Sequence, residues 1–183
     1  MPLELVTPPA LEPVTLDEAK AHLKLDTTDD DAMLARLIGA ARARAEWHTG
    51  RAFITQSWVL WLDLWCAPID MPLPPLICVG AVTTYGTNDT ASALDPSQYQ
   101  VDAPGGRVAL KPGVALPADL RRLNAVSIAF TAGYGDAADD VPALIRQAVL
   151  DIAADLYAHR GDGGEALPIE ALALLAPYRI LKL

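Results

Sequence analysis

The sequence predicts an α+β fold: a helical bundle interrupted by a small antiparallel β module, closed by a C-terminal docking helix and tail. Three observations predict it. Apolar residues recur at helical spacing within 30–49 and 140–161, residues 51–135 change to a period of two with turn residues between the runs, and a short proline-led helical segment follows the glycine-bearing link DGGEAL at 162–167. The chain is read as a single domain over 1–183, with helical parts at 15–50 and 140–160, a β insert at 51–135 and a docking segment at 165–183.

Residues 1–14 hold four prolines among apolar residues, with no helical or strand period. Such a segment is extended and lies along another surface, its own or a neighbour's. Thr15–Leu25 opens with Thr15 and Glu18 at capping-box spacing and has Leu16, Ala19 and Leu23 on one face. DTTDDD at 26–31 breaks this helix and supplies caps for the next, which runs from about Asp30 to Thr49 with Met33, Leu34, Leu37, Ile38, Ala41, Ala45 and His48 in period, and closes at Gly50.

Phe53–Trp65 reads as a strand with Trp58, Leu60, Leu62 and Leu64 on one face and Val59, Trp61, Asp63 and Trp65 on the other. Both faces are apolar in its second half, so the strand is either central in a small barrel or turns one face to another subunit. Large aromatics favour interfaces, which makes Trp58, Trp61 and Trp65 interface candidates beside plain core packing. Prolines 68, 72, 74 and 75 mark a loop, Leu76–Tyr85 is the next strand with a bulge or kink at Gly80, and 98–102 with 107–110 flank a hairpin turn APGG. An irregular connection at 111–124 leads to the strand Val126–Thr131. The sum is five strands or so.

The clearest helix is 140–161. Pro142 suits its first turn, Asp139 and Asp140 offer caps, and Leu144, Ile145, Ala148, Ile152 and Leu156 form its apolar stripe. His159 and Arg160 suit the negative C-terminal end of the dipole, and Gly161 suits the left-handed cap.

The formal net charge of −9 does not suit a broad grip on phosphates. Charge is also uneven: nine acids and five bases over 1–50, six and five over 51–135, eight and four over 136–183. The helical ends are therefore acidic, and the nearly neutral middle is core or contact surface. Cys66 and Cys78 have no zinc spacing and no second pair, and read as small buried side chains of a reducing compartment. The N-terminus has neither the basic start nor the apolar run of a signal peptide, and no segment is apolar enough to span a membrane.

No catalytic constellation is visible. His22, His48 and His159 fall on three separate helices outside any metal-ligand pair, and Asp29, Asp30 and Asp31 lack the glycine and distal glutamate of a calcium loop. No serine sits in a nucleophile elbow, and the glycine-rich stretches at 133–135 and 161–164 lack the lysine of a phosphate loop. The expectation is a protein that is not an enzyme and uses no cofactor or metal.

Four stretches carry a family resemblance: PVTLDEAKAHLKLDTTDDDAMLARLIGAARARAEWHTGRAF at 13–53, TQSWVLWLD at 55–63, FTAGYGDAADDVPALIRQAVLDIAADLYAHR at 130–160 and LLAPYRILKL at 174–183. In this order and spacing the sequence resembles the head–tail connector (adaptor) proteins of tailed bacteriophages and gene transfer agents. The resemblance implies a structural adaptor in a virion or phage-like particle assembled in the bacterial cytoplasm. It implies a ring of copies, twelve as a rule, packed side by side through the helical core beneath the portal protein. The ring extends the DNA channel without binding DNA specifically and gives a platform to a stopper or tail-completion protein. Portal binding would then fall to Leu174, Leu175, Tyr178, Arg179, Ile180 and Leu181, on a tail that orders on the portal. The alternative within the same particle is a stopper or tail-completion protein.

Overall fold

The structure is a computed structural model that describes residues 2–65, 68–159 and 166–180. It divides into two compact units, one built from 1–8 and 55–133, the other from 9–54 and 134–183.

The first unit holds the β structure. Its five-stranded antiparallel sheet has the order β1–β2–β8–β4–β5, where β1 is Leu3–Thr7, β2 Gln56–Leu62, β4 Leu76–Tyr85, β5 Ala91–Ala93 and β8 Val126–Ala132. A second sheet of three strands, β3–β7–β6, joins Ile69–Asp70, Arg107–Leu110 and Tyr99–Asp102. The hairpin around APGG is therefore present, and the register of β4 against β8 shifts between Val79 and Ala81, a bulge at Gly80.

One sequence expectation is borne out and two are corrected here. Residues 3–7, read as extended and lying along another surface, form a strand on β2 of their own chain. The described residues hold eight strands rather than about five, the extra ones being two to five residues long, too short for a period to register. Cys78 is exposed, not buried; Cys66 lies outside the described residues.

The second unit is helical: α1 Leu16–Leu23, α2 Asp31–Thr49, α3 Ala143–Ala158 and α4 Ile169–Leu175. Its core is made by Leu34, Ile38, Ala41 and Ala45 of α2, Ile145, Ala148, Val149, Ile152 and Ala153 of α3, and Ala171 and Leu175 of α4, with Phe53 and Ile54 at the end of the segment that follows α2. Small residues in α2 and α3 let the two helices approach closely.

The capping box of α1 forms as read, with Thr15 Oγ1 accepting from the Glu18 N–H and Glu18 Oε2 accepting from the Thr15 N–H at 2.7 Å. The Thr15 N–H bond most of all, then the Thr15 hydroxyl donating to the same carboxylate at 3.0 Å and the charge of Arg146, hold the Glu18 carboxyl below its ordinary value against a smaller opposing effect of burial. A depressed carboxyl stabilises the fold above its unfolded value and loses that contribution as pH falls through the folded one. Thermal melting should therefore drop below about pH 4.3 in the wild type, and less so in Glu18→Gln.

Other caps differ from the sequence reading. Asp30 occupies the N-cap of α2 but makes no side-chain cap bond; its Oδ2 instead accepts from the Tyr157 hydroxyl at 2.5 Å. Pro142, not Asp139 or Asp140, sits at the N-cap of α3. Asp140 closes the preceding turn by accepting from the Ala137 N–H at 2.9 Å, and its carboxylate fills the space that a Cβ at Gly135 would need. Leu144 is 46% exposed and leaves the apolar stripe, whose place Val149 and Ala153 take. Arg160 and Gly161 lie outside the described residues.

Candidate functional site: the docked C-terminal segment

The end of α2 receives the C-terminal segment. Gly50 closes the helix at φ 71°, the left-handed geometry that glycine adopts without strain, and turns the chain so that Thr49 and Arg51 present groups outward. The Thr49 carbonyl accepts from the Ile180 N–H at 2.9 Å, and Arg51 Nε donates to the Tyr178 carbonyl at 2.6 Å. Ile180 also lies over Gly50, where an added Cβ would be at ordinary contact distance. Tyr134 packs into the same cluster. Burial pushes its hydroxyl above the ordinary value, with the nearby Arg51 opposing that rise.

Over 166–180 the C-terminal segment thus packs on its own unit. Leu175 is fully buried and Ala171 with it, so α4 is part of the core. Leu174 and Tyr178 pack partly against that core, and Arg179 is exposed. Leu181 lies outside the described residues. The sequence signal that α4 would dock was its apolar spacing, Ala171, Leu174 and Leu175. The signal for the Arg51 and Thr49 clamp was absent, because backbone carbonyls carry no residue identity.

His48, Leu172, Ala176 and Arg179 line an open cleft of about 430 Å³ beside this clamp. Burial holds the His48 imidazole below its ordinary value, and the positive charge of Arg179 adds to the effect. A base so depressed favours the folded form above its unfolded value of about 6.5 and disfavours it as pH falls below that value. Protonation would place a second cation beside Arg179. The protection factor of the Ile180 amide, its exchange relative to the intrinsic rate at each pH, should therefore fall from pH 7 to pH 5.5, and His48→Gln should abolish that fall.

The tryptophans do not converge on one face. Trp58 and Trp61 are three residues apart on β2 and so point to opposite sides of the sheet. Trp61 Nε1 donates to Glu4 at 3.1 Å, and its ring lies 5.6 Å from that of Tyr85, over which the Arg121 guanidinium sits at 4.3 Å. Its ring thus serves contacts within the sheet. Trp58 and Trp65 bury their indole nitrogens without a hydrogen-bond partner among the described residues. The residue that the sequence reading missed is Trp47, which is 90% exposed on α2.

The remaining histidines lie beside carboxylates of their own unit, His22 at 3.6 Å from Asp151 and His159 at 3.1 Å from Asp155. Among the described residues no group of three or more His, Cys, Asp or Glu could hold a metal ion, and no helix is long and apolar enough to cross a membrane.

Comparison with known proteins agrees with the resemblance drawn from the sequence. The model of the phage gp6-like head-tail connector protein family matches residues 13–93. A chain in the neck of an empty gene transfer agent particle, solved with C6 symmetry, is similar over 100% of this chain and 97% of its own, at 28% identity and a TM-score of 0.83. A chain in the virion of a native gene transfer agent particle is 27% identical at the same coverage, with a TM-score of 0.83. A third, in the neck of a native particle solved with C12 symmetry, is 27% identical with a TM-score of 0.81. No curated protein matches the sequence.

Proposed function

We propose that this chain, similar over its whole length to neck proteins and matched over 13–93 by the head-tail connector family, is the adaptor of a phage-like particle. It forms a ring beneath the portal, continues the DNA channel and offers a platform to the stopper or tail protein. The observation that carries the reading is the full-length likeness to a chain in a particle neck, which includes both units and the C-terminal segment. The net charge of −9 suits a wall past which DNA slides, since phosphates find no broad basic face to hold them.

Within this reading the portal contact falls on the outward side of the docked segment. Arg179 offers an exposed guanidinium, and Leu174, Tyr178 and Ile180 offer part-exposed apolar surface, while Leu175 serves the core. The test is co-sedimentation of the purified protein with DNA-filled, tailless capsids. The full chain should bind at the portal's copy number, and a chain ending at Pro177, which keeps α4 and its buried Leu175, should not. Binding only after another neck protein has been added would make this chain a stopper instead.

A further inference from the structure

α2 is built as a buried helix, yet one side of it is open. Its buried residues, Leu34, Ile38, Ala41, Ala45 and Thr49, lie on one face. The opposite side is Arg36, Ala40, Ala43 and Trp47, all exposed and recurring at the spacing that puts them in line. A surface helix ordinarily turns charged and polar side chains to water on that side. Here there is one charge, two alanines and an indole that is 90% exposed, the most exposed of the large apolar side chains. Tryptophan is the commonest anchor of protein interfaces, and alanines beside it let a second backbone come close.

Resting on the ring reading above, we infer that this face of α2, anchored by Trp47, is where one copy of the chain seats a neighbouring copy. A ring needs two unlike patches per subunit, one seated on the other around the circle. The α2 face supplies one: a run of roughly 16 Å from Arg36 to Trp47. Its single charge is positive and selects an acidic opposing surface. Exposed acids stand in the same helical unit, Asp17 in the first turn of α1 and Asp26 and Asp29 in the turn after it, against the exposed base Lys24 at the C-cap of α1. A copy of this chain therefore carries both the basic, tryptophan-anchored patch and its acidic counterpart.

The experiment uses the full chain with a photo-crosslinking residue at Ala43, bound to tailless capsids and irradiated. The expected product is a ladder of multiples of 19.5 kDa containing only this protein. In parallel, Trp47→Glu should lower ring occupancy on the capsids at least about tenfold, as loss of an interface anchor does. Its helical circular dichroism and melting should stay those of the wild type, because the side chain touches solvent. Asp17, Asp26 and Asp29 exchanged together for lysine should also weaken assembly, and adding Arg36→Glu should restore part of it. Rings that form normally with Trp47→Glu, or crosslinks from Ala43 that lead only to a different protein, would overturn the inference and leave the adaptor reading standing. Wild-type protein that binds capsids without forming rings would overturn both.

Discussion

Leu175→Ala is expected to destabilise the helical unit by about 2–5 kcal/mol, because the removed side chain leaves a cavity that its neighbours only partly fill. Leu175 is fully buried among α3 and α4 residues and is the largest side chain that α4 gives to the core. The loss should reach beyond stability. With α4 loosened, the bonds from Ile180 to Thr49 and from Arg51 to Tyr178 have nothing holding their C-terminal partners in place. Urea unfolding followed by helical circular dichroism gives the stability, and hydrogen exchange at Ile180 gives the docking. Capsid co-sedimentation should fall with the second measurement. Normal exchange at Ile180 in Leu175→Ala would separate α4 packing from tail docking and sink the linkage.

Arg42→Ala is the second large effect. Arg42 Nε donates to Glu12 at 2.7 Å and its Nη1 to Glu46 at 2.5 Å, with side-chain exposures of 16% for Arg42 and 13% for Glu46. Glu46 Oε1 in turn accepts from the Phe53 N–H at 2.8 Å, so the pair ties α2 to the segment that leaves it. Removing the guanidinium takes one charged hydrogen bond from Glu46 and another from Glu12, which is 32% exposed, a cost of about 2–3 kcal/mol. Arg42→Ala with Glu46→Gln should recover part of this, since the amide keeps an oxygen for Phe53 but carries no charge. A single variant as unstable as the double would move the effect from charge to packing.

How much of this was legible beforehand depends on whether the physical cause is local. The helices were, since Ile145, Ala148 and Ile152 repeat at the helical period and Thr15 with Glu18 spells its own cap. Leu144 was misplaced because a period tells which residues share a face but not how wide the buried part of that face is. Asp139 and Asp140 were misread as caps because the same side chains serve a preceding turn, and only the backbone decides between them. The pairing of β1 was hidden because its partners lie fifty or more positions away in the chain. At the candidate site, the apolar spacing of Ala171, Leu174 and Leu175 marked α4 as a helix that packs on something, and the structure packs it on its own unit. The Thr49 carbonyl and the Arg51 guanidinium hold backbone groups of Ile180 and Tyr178, and such partners leave no mark in residue identity. Trp47 was passed over because exposure is a property of the fold; in sequence it is one more apolar residue in an apolar helix.

The junction where the helical unit hands over to the β unit has a further meaning. Tyr134 N–H donates to the Phe53 carbonyl at 2.9 Å, and Ile54 is bridged to Gly135. The two ends of the 55–133 excursion are thus stitched together on the helical side, by bonds that involve none of the excursion's own residues. For the helical unit, the excursion is thermodynamically a loop with pinned ends, and lengthening or shortening a loop changes its closure entropy only logarithmically. That position therefore works as a socket: the length of chain between 55 and 133 can change at little entropic cost to the helical frame and its docked tail.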